Sequence, residues 1–283
     1  MTLDGLARAK INLTLHLTGR RADGYHLLDS VVAFADVGDR LTVAPGESLS
    51  LTVTGPQAGG VPTDGRNLVL KAATKLAEAA GIDRPGARIS LEKHLPAEAG
   101  IGGGSADAAL ALVLLDRMWG TRADLAAIAP TLGADVPMCL AGKPARVRGV
   151  GEVLSPVSPL PPLHVVLANP GVSVSTVSVF AACRLPDGPP PPEPDWTDEA
   201  GFLAFLGEAR NDLEDAAMTI APAIAPLLSA LREDANCLFA RMTGSGATCF
   251  GLFRDPAPAQ AAADAVRNAG LARWSVAARL ETD

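Results

Sequence analysis

Chemistry concentrates in Leu95–Pro96–Ala97–Glu98–Ala99–Gly100–Ile101–Gly102–Gly103–Gly104–Ser105–Ala106–Asp107, where four glycines and a hydroxyl run into an apolar helical pattern. Glycine has no Cβ, so the backbone can approach a ligand closely and reach φ > 0. A helix start adds unpaired N–H groups and a partial positive charge. Together they make a seat for phosphate oxygens. The stretch that holds Pro96, Gly100, Ile101, Gly102, Gly103, Gly104, Ser105 and Ala106 is therefore the candidate phosphate seat.

Three other places carry reactive side chains. Lys10 and Asn12 alternate with apolar Ala9, Ile11 and Leu13, so both project from one face of an N-terminal strand, read as half exposed. Asp135 lies in Gly133–Ala134–Asp135–Val136–Pro137, a loop fixed by its proline, where its first reading is a cap for the next element. Tyr25, the only tyrosine, sits beside His26 in the polar turn Thr18–His26. An aromatic there is either a stacking platform or a ring packed back on the sheet.

The glycine loop is neither of the two commonest nucleotide loops. A Walker A loop ends in Gly-Lys-Ser/Thr, and Gly142–Lys143 is followed by Pro144. A Rossmann loop follows the first strand and has an acidic partner about twenty residues on, which is missing here.

The elements that hold these residues follow from periodicity. Residues 6–17 read as a strand, and Arg40–Val43 with Leu49–Val53 as a hairpin. Asn67 caps a helix that Gly81 ends. A strand over 87–93 enters the glycine loop, and the helix beyond it stops at Gly120. A short helix covers Ala123–Leu132, and Met138–Val153 reads as paired strands. The Pro/Ser stretch 155–162 marks a boundary between domains 1–154 and 155–283. The second half reads as strand His164–Ala168, helices over 176–184, 198–210, 213–220 and 223–232, strands 237–242 and 248–253, a helix over 257–268 and a strand over 274–280. That order fits an α/β sandwich of the ferredoxin-like kind. Pro189 to Pro192 marks an exposed, mobile loop.

Over 283 residues, 48% hydrophobic and 19% charged composition describes a globular protein with a sizeable core. A net charge of −7 argues against a nucleic-acid or anionic-membrane surface, so phosphate must be held by local devices. No N-terminal stretch has the pattern of a secretion signal, and the longest apolar run, Ala108–Leu115, is too short to span a bilayer. Cys139, Cys183, Cys237 and Cys249 are scattered and read as reduced core thiols; with four isolated histidines they form no metal motif. The expectation is a cytoplasmic protein, monomeric or weakly dimeric.

Three segments together resemble one family. The glycine loop is similar to the phosphate loop of the GHMP kinases, and Ala9–Lys10–Ile11–Asn12–Leu13 and Thr243–Gly244–Ser245–Gly246–Ala247 resemble that family's first and third motifs. Arg21–Ala22–Asp23–Gly24–Tyr25–His26, Leu132–Gly133–Ala134–Asp135–Val136–Pro137 and Asn169–Pro170–Gly171–Val172 narrow the resemblance to members whose acceptor is a cytidine-diphosphate-linked polyol. The resemblance implies an α+β, two-domain GHMP-kinase-like fold: an N-terminal mixed α/β domain and a C-terminal ferredoxin-like α/β sandwich.

It also implies ATP-dependent transfer of the γ-phosphate to an acceptor hydroxyl, with Mg²⁺. Lys10 and Asp135 would be the catalytic pair. Asp135 would take the hydroxyl proton, while Lys10 orients it and counters charge on the transferred group. Asn12 would hydrogen-bond the substrate's hydroxyls. Tyr25 and Phe180 would stack on the cytosine, His26 bond its edge, and Thr176 lie nearby. Asn67, Leu68 and Lys93 would border the ATP base and ribose. Ser105 would touch the β-phosphate or Mg²⁺, and the turn Gly244–Ser245–Gly246 would close over the acceptor. Ala106 departs from the pattern: many members carry a second hydroxyl there, so the backbone cradle is kept without it. The alternatives are a sister kinase acting on mevalonate, homoserine or a sugar, and a catalytically silent nucleotide sensor.

Overall fold

The computed structural model describes residues 1–185 and 192–282. The proline loop expected at Pro189–Pro192 therefore lies mostly outside the described residues. In chain order the strands are β1 (Leu3–Asn12), β2 (His16–Arg20), β3 (His26–Ala44), β4 (Leu49–Thr54), β5 (Ala87–Glu92), β6 (Ala145–Gly149), β7 (Val153–Pro156), β8 (His164–Asn169), β9 (Phe239–Met242), β10 (Cys249–Phe253) and β11 (Trp274–Arg279). The helices are α1 (Leu68–Ala80), α2 (Gly103–Trp119), α3 (Leu125–Ile128), α4 (Val136–Ala141), α5 (Thr176–Ala182), α6 (Glu199–Glu208), α7 (Glu214–Ile220), α8 (Ile224–Glu233) and α9 (Pro256–Asn268). They form two compact units, one of Met1–Ala9, Val37–Ala97 and Gly102–Gly142, the other of Lys10–Asp36, Glu98–Ile101 and Lys143–Asp283. Both β1 and β3 contribute residues to each unit.

In the first unit, β4 and β5 pair in parallel, and β5 pairs antiparallel with the C-terminal half of β3. A parallel pair needs a crossover, and α1 supplies it. This corrects the expected hairpin: Arg40–Val43 and Leu49–Val53 do not pair, because β5 lies between them. Helix α1 forms as its caps dictate. Asn67 Oδ1 accepts the Val69 N–H at 2.9 Å, and Gly81 closes the C-terminus in the left-handed region. Its inward face is Val69, Ala72, Ala73, Leu76 and Ala77. The small residues of that face and of Ala108, Ala109 and Ala111 on α2 allow the two helices to pack closely in one core with Leu112 and Leu115.

Two further expectations change here. The helix over Ala123–Leu132 is shorter, α3 followed by a 3-10 turn at Ala129–Thr131. The region read as paired strands begins instead with α4: Pro137 falls in the first turn, where its missing N–H is not needed, and so starts a helix. Only β6 and β7 pair as strands.

In the second unit, β3 pairs with β2 and β6. A separate four-stranded antiparallel sheet has the order β11-β8-β10-β9. With α9 packed on β8 and β11, and α8 on β9 and β10, this is the ferredoxin-like arrangement expected from the sequence. Its core joins Val166, Leu227, Leu231, Phe253 and Val266.

The N-terminal strand also differs from expectation. It ends at Asn12, and its polar residues are not half exposed: Lys10 and Asn12 are 4% and 5% exposed, with Thr14 and His16 also buried. Alternation gave the two faces correctly but not the burial, because polar partners from elsewhere cover the second face.

Candidate active site

The phosphate loop leaves β5 and enters α2 through Gly102, a left-handed residue with no side chain to cap the helix. Gly103, Gly104 and Ser105 form the first turn of α2, and Ala106 N–H makes the first intrahelical bond, to Gly102 O at 2.8 Å. Within the first unit, Leu68 reaches this turn: a Cβ on Gly104 would lie 3.7 Å from Leu68 Cδ1. Lys93 is there too, but its ammonium is buried between Asp39 and Asp107. Asn67 uses its carboxamide on Val69 N–H and Pro62 O.

Within the second unit, the middle of the loop meets the third motif. Gly100 has φ +75°, and a Cβ there would stand 2.6 Å from Thr243 O; Gly244 has φ +58°, and its Cβ would stand 2.7 Å from Gly100 O. Only residues without side chains let these two backbones lie against each other. Ile101 O accepts the Lys10 N–H at 2.9 Å, tying the loop to β1.

Lys10 and Asn12 are neighbours in a buried network. Lys10 Nζ donates to Asn12 Oδ1 at 2.6 Å, Asn12 Nδ2 donates to Ser30 Oγ at 2.8 Å, and Asn12 N–H donates to Thr243 Oγ1 at 2.8 Å. Asn12 thereby aims the ammonium. Thr243 enters the sequence expectations only within the third motif and Ser30 not at all: a serine inside a long strand carries no local signal of its contact with residue 12. Asp135, half-buried in the first unit, takes the position before α4, yet its side chain makes no capping bond, so the capping role is not what it performs.

The expected nucleoside residues share one cavity of the second unit. Arg20, Asp23, Tyr25, His26, Thr176 and Phe180 line about 530 Å³. Tyr25 is 64% exposed, which excludes a ring packed on the sheet. Its turn is closed by the Arg21 N–H bond to Tyr25 O at 2.7 Å, and the Arg21 guanidinium lies 5.9 Å from the ring centroid. The His26 and Phe180 rings are 5.3 Å apart and tilted by 32°. Burial, with the nearby Arg20 charge, lowers the His26 pKa below the usual imidazole value, so the ring is neutral near pH 7 and able to accept as well as donate. Thr176 Oγ1 and Ser245 Oγ share a 2.8 Å hydrogen bond, which links the start of α5 to the Gly244–Ser245–Gly246 turn.

Among the described residues no three His, Cys, Asp or Glu side chains gather to hold a metal, and no helix is long and apolar enough to cross a membrane. The four cysteines are free; Cys249 is buried and the others are half-buried.

A glycine loop opening a helix, with the glycine turn 243–246 against it, is the arrangement the resemblance implies, and comparison with known proteins shows the class of kinase. Residues 67–143 match the GHMP kinases N terminal domain, and residues 198–272 match the GHMP kinases C terminal domain. A 4-diphosphocytidyl-2-C-methyl-D-erythritol kinase of Cereibacter sphaeroides (strain ATCC 17025 / ATH 2.4.3) is 54% identical over 98% of this chain and 99% of its own. A crystal structure of 4-(cytidine 5'-diphospho)-2C-methyl-D-erythritol kinase superposes with a TM-score of 0.81 at 38% identity, covering 99% of this chain and 100% of that one. A homoserine kinase from Cytophaga hutchinsonii, 18% identical with a TM-score of 0.70 over 99% and 94% of the two chains, shares the fold. The chain belongs to the GHMP kinases, in the family of the 4-diphosphocytidyl-2-C-methyl-D-erythritol kinases.

Proposed function

We propose that this chain is an ATP-dependent phosphotransferase that phosphorylates the 2-hydroxyl of 4-diphosphocytidyl-2-C-methyl-D-erythritol, a step of the non-mevalonate route to isoprenoid precursors, giving the 2-phosphate and ADP. The observation that carries this reading is the 54% identity, over 98% of the chain, to a kinase of that name. The cavity beside Tyr25 and Phe180 supports the same acceptor, because a kinase for mevalonate or homoserine has no base to stack.

In the proposed mechanism the phosphate loop seats the ATP phosphates on the first turn of α2, through Pro96, Gly100, Ile101, Gly102, Gly103, Gly104, Ser105 and Ala106. Asn67 and Leu68 border the base and ribose. Tyr25 and Phe180 stack on the cytosine, His26 bonds its edge, and Thr176 and the Gly244–Ser245–Gly246 turn enclose the acceptor end. Asp135 accepts the proton of the acceptor hydroxyl as its oxygen bonds the γ-phosphorus and the bond to the β-phosphate oxygen breaks, releasing ADP. Lys10, aimed by Asn12, counters the charge on the transferred group.

Mg²⁺ fits this arrangement as a companion of the nucleotide. It is commonly held by substrate phosphates with one or two protein oxygens, and the described residues offer no all-protein cage. The Ser105 hydroxyl would be one such oxygen, and the ion would offset phosphate charge. We further assign sequence domains to 1–154 and 155–283, supported by the family matches on either side, and propose a cytoplasmic location and a monomer or weak homodimer.

The test is ADP release by the pure protein with Mg-ATP and a panel of acceptors. The cytidine-linked methylerythritol should drive release, while mevalonate, homoserine and simple sugars should not. Release driven only by one of the latter would move the chain to a sister activity, and none at all would leave a nucleotide-binding protein.

A further inference from the structure

Lys93 is 3% exposed, and its ammonium bonds Asp39 Oδ2 and, at 2.9 Å, Asp107 Oδ2. Asp39 lies on β3 and is fully buried; its Oδ1 accepts the His94 N–H at 2.6 Å and the Leu95 N–H at 2.9 Å. Asp107 is the fifth residue of α2. One buried cluster thus holds residues 93–95, which lead into the phosphate loop, and the helix that leads out of it. The cluster lies directly under the helix start: a Cβ on Gly103 would be 3.5 Å from Lys93 Nζ and 3.6 Å from Asp39 Oδ2.

We propose that Asp39, Lys93 and Asp107 are a clamp that fixes the two ends of the phosphate loop relative to each other, and that Lys93 acts on the nucleotide only through that loop. It is a positioning residue. The functional side rests on the reading of the loop as the ATP seat.

The charges fit a clamp better than a ligand contact. Burial alone would lower the Lys93 pKa, but the two carboxylates beside it outweigh burial and raise it, so the ammonium stays charged. Two carboxylates share that single ammonium. Burial pushes the Asp107 carboxyl up to about 7 against the pull of Lys93, and its Oδ1 is the one buried side-chain oxygen among the described residues without a hydrogen-bond partner. Without the ammonium, Asp39 keeps only its two backbone donors and Asp107 loses the group that ties α2 to residues 93–95, which is the costly way to break such a cluster. Asp107→Asn weakens the same contact from its other end.

The experiment compares wild type, Lys93→Met, Lys93→Arg, Asp107→Asn and the double variant Lys93→Met/Asp107→Asn. Hydrogen exchange of the amides of residues 95–105 is followed without nucleotide, and the affinity for Mg-ADP is measured by calorimetry. Lys93→Met should speed exchange there and weaken Mg-ADP, each by about tenfold, the equivalent of one pair of opened contacts. Asp107→Asn should speed exchange as well, and Lys93→Arg should stay near wild type. The double variant should lose no more than the worse single variant, because both changes break the same contact. Wild-type exchange in Asp107→Asn, or a double variant that loses the sum of both single losses, overturns the clamp. So does weakened Mg-ADP binding with wild-type exchange, which would make Lys93 a direct ligand contact. Should Lys93→Met fail to fold, Asp39→Asn carries the test, since the clamp requires faster exchange at 95–105 and wild-type rates refute it. A wild type that binds no Mg-ADP sinks the nucleotide reading, while the exchange comparison still decides the clamp.

Discussion

Tyr25 and Phe180 show what single side chains contribute. Tyr25 keeps its ring in solvent on a turn closed by its own carbonyl, and Phe180 is braced by His26, so neither must move far to meet a planar base. Stacking of a base on an aromatic contributes about 1–3 kcal/mol. Tyr25→Ala and Phe180→Ala should therefore each raise KM for the cytidine-linked substrate about tenfold or more, with kcat and KM for ATP nearly unchanged, in steady-state kinetics. A parallel fall in kcat would place these rings in the chemical step instead. At this scale the sequence was legible where signals are local. A lone tyrosine in an Asp-Gly turn and a serine after four glycines mark themselves. Lys93, Asp39 and Ser30 do not, because their roles come from partners up to 56 residues away.

Elements carry information of a different range. Helix α1 could be read to within a residue or so at either end, since Asn67 and Gly81 are both local signals. The place of β5 between β3 and β4 could not, because sequence neighbours favour a hairpin until α1 is seen to return the chain in parallel. The link from β2 to the segment before α7 was equally hidden. His16 Nε2 accepts the Arg210 N–H at 2.9 Å, and Nδ1 lies 3.2 Å from Asp29 O, so the ring serves as a neutral acceptor and donor. Burial lowers its pKa below the ordinary value of about 6.5. The folded protein therefore refuses a proton that the unfolded chain takes up. Stability is unaffected above about pH 6.5 and falls as the pH drops below it. His16→Gln keeps an acceptor without the ionisation. Its melting temperature should fall less steeply than that of wild type between pH 7 and 5, and equal slopes would remove His16 from the acid response.

For the molecule as a whole, the proposed function asks an acidic chain to bind a polyanion through local geometry rather than net charge. The ferredoxin-like sheet was legible as an order of elements, and the phosphate loop as composition. The burial of Lys10 was not, since it depends on Asn12 and on the Thr243 turn more than two hundred residues on. In the proposed reaction the γ-phosphoryl group passes from ATP to the cytidine-linked alcohol with Asp135 receiving the proton. Transfer of label from γ-³²P-ATP, in wild type and in Asp135→Asn, reads that step. Label should appear on the cytidine-linked polyol with wild type, and about 10²–10⁴-fold more slowly with the variant. Label that stays on ATP or passes to water, or a variant as fast as wild type, would contradict it.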